Sequence, residues 1–152
     1  MLHEFGSKAR AWFLADGERV GLTHNDFRLD NLLFTGEAGG CVVLDWQTFM
    51  VSHIGRDLGM FIGASIPTDL RVAHGNELLT AYRDQLTSLD VTGYSQANSE
   101  HDLRYGSFHG IHNALLLHRA VDMTDRGTQM FDAWLARACQ TVDDLDALQV
   151  LS

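Results

Sequence analysis

Residues 22–34 of the chain read LTHNDFRLDNLLF. Within this stretch, His24 precedes Asp26 by two positions and Asn31 follows Asp26 by five. The three polar side chains therefore share one loop between two apolar, strand-like pieces. A histidine and an aspartate at this spacing are a weak signal alone, but the added asparagine is typical of a loop that positions reacting groups.

A second stretch, residues 42–47, reads VVLDWQ and places Asp45 directly after a run of apolar, β-forming residues. Between the two stretches, residues 35–40 are polar and rich in glycine, which tolerates the positive φ of a tight turn. We predict a hairpin of residues 32–34 and 42–44. Its antiparallel strands would bring the two ends of the site together.

The chemistry that fits these side chains is phosphoryl transfer, which depends mainly on positioning and on neutralising charge. Asp26 can orient an attacking hydroxyl and accept its proton. Asn31 and Asp45 offer the hard oxygen ligands that Mg²⁺ prefers, beside the phosphates of a nucleotide. Arg28 could contact the transferring phosphoryl group or hold Asp26, and His24 is expected to brace the loop.

Simpler interpretations of the neighbouring residues stay open at this point. Arg28 could form a surface ion pair with Asp30. Asp57 could hydrogen-bond the loop, although we expect it to cap a helix. Trp46 is expected in the core.

A zinc-dependent hydrolase is a further alternative. His109 and His112 lie three apart on a predicted helix, with His118 nearby.

The remaining sequence is mostly helical in pattern. A helix is predicted over residues 2–15, a short strand over residues 20–22, and a helical period after Met50 that Pro67 ends. Apolar stripes at three- and four-residue steps predict three further helices after Pro67. We therefore expect one α+β domain, mostly helical, over residues 1–152.

Composition excludes several classes of protein. The chain has 152 residues, 45% of them hydrophobic, and a net charge of −9, which disfavours binding to nucleic acid. No apolar stretch is long enough to span a bilayer, so no membrane partner is expected. Cys41 and Cys139 are expected to be buried thiols in a reducing, cytoplasmic setting.

The pattern His-x-Asp-x-x-x-x-Asn of His24, Asp26 and Asn31, followed by Asp-Trp-Gln at residues 45–47, resembles the aminoglycoside phosphotransferase and choline-kinase-like superfamily. Within this superfamily, residues 26–31 and 45–47 look closest to ecdysteroid-kinase-like members. The resemblance implies a protein-kinase-like fold, ATP and Mg²⁺ as cofactors, and transfer of the γ-phosphate to a hydroxyl of a small molecule. It assigns Asp26, with Arg28 and His24, to catalysis, and Asn31 and Asp45 to the metal and nucleotide.

The resemblance is to the C-terminal lobe of such enzymes. The chain contains no Gly-x-Gly-x-x-Gly sequence, and Lys8, its single lysine, lies in a helical context rather than in a strand. We therefore expect the nucleotide-clamping N-terminal lobe to be absent and an apolar face to be left exposed, which favours a partner lobe or a homo-oligomer. The alternative function is a truncated, inactive remnant or a partner-dependent binding module.

Overall fold

The structure is a computed structural model that describes residues 2–14, 19–36, 39–120 and 124–151, with the backbone alone at residues 2 and 117–120. Its α-helices are α1 (Leu2–Leu14), α2 (Gly55–Leu58), α3 (Thr68–Ser88), α4 (Gln96–Ala120) and α5 (Asp125–Asp144). The α2 helix continues directly as a π-helix over Gly59–Ser65. Short 3₁₀ turns cover Leu29–Asn31, Trp46–Thr48 and Ala147–Leu151. The prediction of a mostly helical α+β fold is confirmed.

Four short strands form two antiparallel pairs, β1 (Val20–Thr23) with β4 (Met50–His53) and β2 (Leu32–Phe34) with β3 (Cys41–Val43). The β2–β3 pair is the predicted hairpin, with β3 beginning one residue earlier than expected. Its turn includes positive φ at Gly36 and Gly39, although residues 37 and 38 lie outside the described chain, as do residues 15–18 after α1.

The helical period predicted directly after Met50 was wrong at its start. Residues 50–53 form β4, which pairs with β1 some thirty positions earlier, from Thr23↔Met50 to Val20↔His53. The helix begins only at Gly55. It ends as predicted before Pro67, where Ile66 takes the extended backbone that precedes a proline.

The core is organised around α4, which contacts α5, α2 and the π-helix. The predicted apolar stripe of α5 is buried at Phe131, Trp134, Ala138 and Val142. The α1 helix closes this core with Trp12, whose indole N–H donates to the Tyr105 carbonyl at 2.9 Å.

Glycines let α2 and α4 cross almost backbone to backbone. A Cβ placed on Gly106 would lie 1.6 Å from the Gly55 carbonyl oxygen, and one on Gly59 would lie 1.9 Å from the Gly106 carbonyl carbon. No side chain fits at either position without separating the two helices.

Gly106→Ala should therefore destabilise the protein by about 3 kcal/mol or more, because the added methyl group meets backbone that cannot move aside. Gly6→Ala is the matched control, since a Cβ there meets nothing within 4 Å. The control should gain up to about 1 kcal/mol from helix propensity. Urea unfolding of both variants measures the difference, and equal midpoints would refute the close crossing.

The hairpin carries an uncovered apolar surface. Two residues expected in the core are exposed there: Cys41, and Trp46 with 46% of its surface accessible. We call the following exposed side chains the hairpin surface: Leu33, Phe34, Val42, Leu44 and Trp46. The core prediction failed because side chains on both faces of the β2–β3 pair stay exposed within the described chain. Cys139 is partly buried, and burial raises the pKa of its thiol.

Across the described residues, no helix is both long enough and apolar enough to cross a membrane.

Candidate active site

Asp26 and Asn31 are in direct contact in the loop between β1 and β2. The Asn31 amide nitrogen donates to the Asp26 carboxylate at 3.0 Å and to the Asp26 carbonyl oxygen at 2.8 Å. The contact forms because the 3₁₀ turn of Leu29–Asn31 folds the chain back, its Asn31 N–H donating to the Arg28 carbonyl. Asn31 is 6% exposed, so its orientation is fixed by packing as well.

Asp45 is brought beside Asn31 by the hairpin. The Leu44 N–H donates to the Asn31 carbonyl at 2.8 Å, which extends the β2–β3 pairing by one step. Asp45 follows in the left-handed region, at φ 62° and ψ 58°, with an exposed side chain. A non-glycine residue in this region is uncommon and is often found where a side chain is held for function.

The donor set of this corner fits a magnesium ion. Both amide hydrogen bonds of Asn31 go to Asp26, which leaves its side-chain oxygen without a partner among the described residues. The Asp45 carboxylate likewise makes no hydrogen bond or ion pair within the described chain. The Asp45 carboxylate and the Asn31 amide oxygen thus have no partner among the described residues. They are hard ligands of the kind that Mg²⁺ binds alongside water and phosphate.

Arg28 holds Asp26 and also forms the ion pair considered from the sequence. Its Nε donates to both Asp26 carboxylate oxygens at 3.1 Å, and its Nη1 donates to Asp30 at 2.8 Å. The guanidinium lies 4.6 Å from the ring centroid of Trp134 on α5. Stacking on a buried aromatic ring restricts the arginine and, through it, the direction of the Asp26 carboxylate.

His24 braces the loop from inside, as its place in the sequence suggested. It is 2% exposed, and its Nε2 lies 2.7 Å from the Leu44 carbonyl oxygen. A carbonyl oxygen only accepts, so Nε2 carries the proton and Nδ1 is free to accept the Asp26 N–H at 3.3 Å. The imidazole also packs against Trp46 with 4.8 Å between ring centroids. His24 therefore holds a backbone group next to each site aspartate: the Asp26 N–H, and the Leu44 carbonyl that precedes Asp45.

Asp57 hydrogen-bonds the loop, and the expectation that it caps its helix was wrong. Its two carboxylate oxygens accept the backbone N–H groups of His24 at 2.7 Å and Asn25 at 2.8 Å. Burial raises the pKa of the Asp57 carboxyl, and the two backbone N–H donors act in the opposite direction. At the start of this helix, the Gly55 N–H instead donates to His53 Nδ1 at 3.1 Å.

Two α4 residues that the sequence did not connect with the loop contact it directly. The Asn25 carbonyl oxygen lies 2.8 Å from His109 Nε2 and accepts from the Asn113 amide at 3.0 Å. His109 was considered as a zinc ligand with His112. No described third His, Cys, Asp or Glu side chain joins these two in a metal-binding group, and the side chain of His118 is outside the described residues.

Within the described residues, one cluster has three groups close enough to hold a metal: His53, His101 and Asp102. The guanidinium of Arg19 already binds two of these side chains. Arg19 Nε donates to the two Asp102 oxygens at 2.8 and 3.0 Å, and its Nη2 lies 2.9 Å from His101 Nδ1. Asp102 is fully buried and also accepts from Tyr94 at 2.9 Å. The cluster anchors β1 to α4 and is structural.

The buried imidazole of His109 predicts a specific loss of stability in acid. Burial lowers its pKa from 6.5 to about 3. Between these values the unfolded chain binds a proton that the folded chain does not, so stability falls as the pH falls. From pH 7 to pH 5 the loss from this group should be about 2 kcal/mol. His109→Gln should lose that much less in urea unfolding at the two pH values, and parallel losses in both proteins would contradict the assignment.

Comparison with known proteins identifies the family of the chain. No curated protein and no solved structure matched the chain. The model of the APH family, the phosphotransferase enzyme family, matches residues 2–97. This segment contains the whole loop, the hairpin and Asp57. Since this match covers more than half of the sequence, the chain belongs to the APH phosphotransferase enzyme family.

Proposed function

We propose that the protein transfers the γ-phosphate of ATP to a hydroxyl group of a small molecule, with Mg²⁺ bound by Asn31 and Asp45. The observation that carries this proposal is the contact of Asp26 with Asn31 at 3.0 Å, with Asp45 held at the adjoining strand end. This arrangement supports a site in which Asp26 serves proton transfer and Asn31 and Asp45 supply the oxygen ligands. Family membership supports phosphotransfer as the reaction class.

In the proposed reaction, Asp26 orients the acceptor hydroxyl and takes its proton as the acceptor oxygen bonds to the γ-phosphorus. The bond from that phosphorus to the bridging oxygen breaks, and ADP leaves with the electron pair. Bound Mg²⁺ would neutralise charge on the β- and γ-phosphates. Arg28 and Asn31 keep the Asp26 carboxylate in place, because both donate to it.

We further propose that the chain acts as the C-terminal lobe of a kinase-like enzyme, with a nucleotide-clamping lobe packed on the hairpin surface. The exposed fractions of this surface support the proposal, from 44% at Leu44 to 66% at Phe34. Several exposed apolar side chains grouped on one hairpin beside a site are typical of an interface. Association of two copies through this surface is the other outcome, and light scattering at rising concentration separates the two.

The same uncovered surface favours a second candidate, a partner-dependent binding module without turnover of its own. Such a module would bind Mg·ATP weakly and transfer nothing, since part of the nucleotide's contacts would come from the partner. Adding a partner lobe would then restore transfer.

The test is a transfer assay with Mg²⁺ and ATP against aminoglycosides, choline and simple alcohols, read by mass spectrometry of the acceptor. The proposal expects an 80 Da increase, the mass of one phosphoryl group, on one acceptor class, and no increase without Mg²⁺. Absence of any phosphorylated acceptor, with and without a partner lobe, would defeat the transferase proposal.

A further inference from the structure

The peptide group that joins Asn25 to Asp26 is held at both of its polar ends. Its N–H, on Asp26, points to His24 Nδ1 at 3.3 Å. Its carbonyl, on Asn25, lies 2.8 Å from His109 Nε2 and 3.0 Å from the Asn113 amide nitrogen. Asn25 itself sits in the left-handed region, at φ 71°. The orientation of this peptide plane sets the direction in which the Asp26 side chain projects from the backbone.

The donors from α4 can be assigned from their surroundings. A lone pair on His109 Nε2 at 2.8 Å from a carbonyl oxygen would be repulsive, so this nitrogen carries the proton. His109 Nδ1 is buried without a partner, which suits an unprotonated nitrogen better than an N–H left unbonded. Asn113 adds a second donor to the same oxygen. One carbonyl therefore receives two hydrogen bonds from a helix more than 80 positions away.

We propose that His109 and Asn113 are positioning residues for the transfer reaction: they fix the Asn25–Asp26 peptide and thereby aim the Asp26 carboxylate. This inference rests on the proposed function. Neither side chain contacts the Asp26 carboxylate, so both act through the backbone. The constraint complements that of Asp57, which holds the preceding N–H groups of His24 and Asn25.

The test uses a pair of variants matched in length. Glutamine can place an amide N–H close to the position of histidine Nε2, whereas methionine fills similar space without a donor. His109→Met is expected to lower kcat about 100-fold, with the KM for ATP changed less than about threefold. His109→Gln is expected to stay within about fivefold of the native kcat. A packing role alone would affect both variants alike.

A spectroscopic readout keeps the test independent of turnover. Hydrogen exchange of the Asp26 amide, followed by NMR, is expected to quicken at least tenfold in His109→Met and to change little in His109→Gln. Asn113→Asp, which replaces a donor by an acceptor at a partly buried site, should quicken the same amide without unfolding the core. No transfer activity, with and without a partner lobe, would refute the proposed function, while the exchange data would still decide this inference.

Native exchange at the Asp26 amide in both His109→Met and Asn113→Asp would overturn the proposal. So would equal kcat values for His109→Met and His109→Gln.

Discussion

Asp26→Asn is expected to lower kcat for phosphoryl transfer about 10²–10⁴-fold, the range typical of losing a positioned general base. The substitution keeps the shape of the side chain and an oxygen for Arg28 and Asn31, but it removes the group that takes the hydroxyl proton. Asn31 and Asp45 are unchanged, so Mg·ATP should bind within a few-fold of the native affinity. Steady-state kinetics and calorimetry together separate the two effects.

Asp30→Asn is the matched control for this variant. Asp30 accepts a hydrogen bond from Nη1 of Arg28, and 63% of the Asp30 side chain is exposed. Its loss should change kcat less than about threefold, because exposed ion pairs contribute little. Equal activity of Asp26→Asn and the native protein would remove Asp26 from the reaction.

Arg19→Met is expected to destabilise the protein by about 3–5 kcal/mol, a large part of the stability of a domain of this size. The Asp102 carboxylate is 0% exposed, and Arg19 supplies both of its shortest contacts, at 2.6 and 2.8 Å. Methionine would leave this charge buried with Tyr94 and two imidazoles as its neighbours. Urea unfolding at pH 7 measures the loss.

Two further variants serve as controls for the Arg19→Met measurement. Lys8→Met removes an exposed pair with Glu4 at 3.9 Å and should cost less than about 0.5 kcal/mol. The double variant Arg19→Met/Asp102→Leu removes both buried charges and should recover much of the loss. If Arg19→Met alone stays within 1 kcal/mol of the native protein, the guanidinium does not hold Asp102 in the way described.

The features that could be predicted from sequence are local. The hairpin followed from β-forming residues on both sides of a glycine-rich turn, and the contact of Asp26 with Asn31 needs only a tight turn between them. The position of Asp45 followed from the antiparallel pairing. The end of the π-helix before Pro67 is equally local, since proline restricts the residue that precedes it.

The features that could not be predicted depend on contacts between distant segments. The β4 strand has a helical apolar pattern around it and became a strand because β1 pairs with it. The role of Asp57 depends on where the loop packs against α2, 32 and 33 positions earlier in the chain. His109 reaches the loop across 84 positions, and the sequence pattern presented it only as a possible zinc ligand.

Calorimetric titration of the native protein and of Asp45→Ala with Mg·ATP tests whether Asn31 and Asp45 form the metal and nucleotide site. The Asp45 side chain is exposed and makes no hydrogen bond or ion pair within the described chain, so its loss should leave the fold intact. We expect a Mg²⁺-dependent heat for the native protein and at least a tenfold weaker affinity for the variant. Equal heats and equal affinities would contradict a metal and nucleotide site at Asn31 and Asp45.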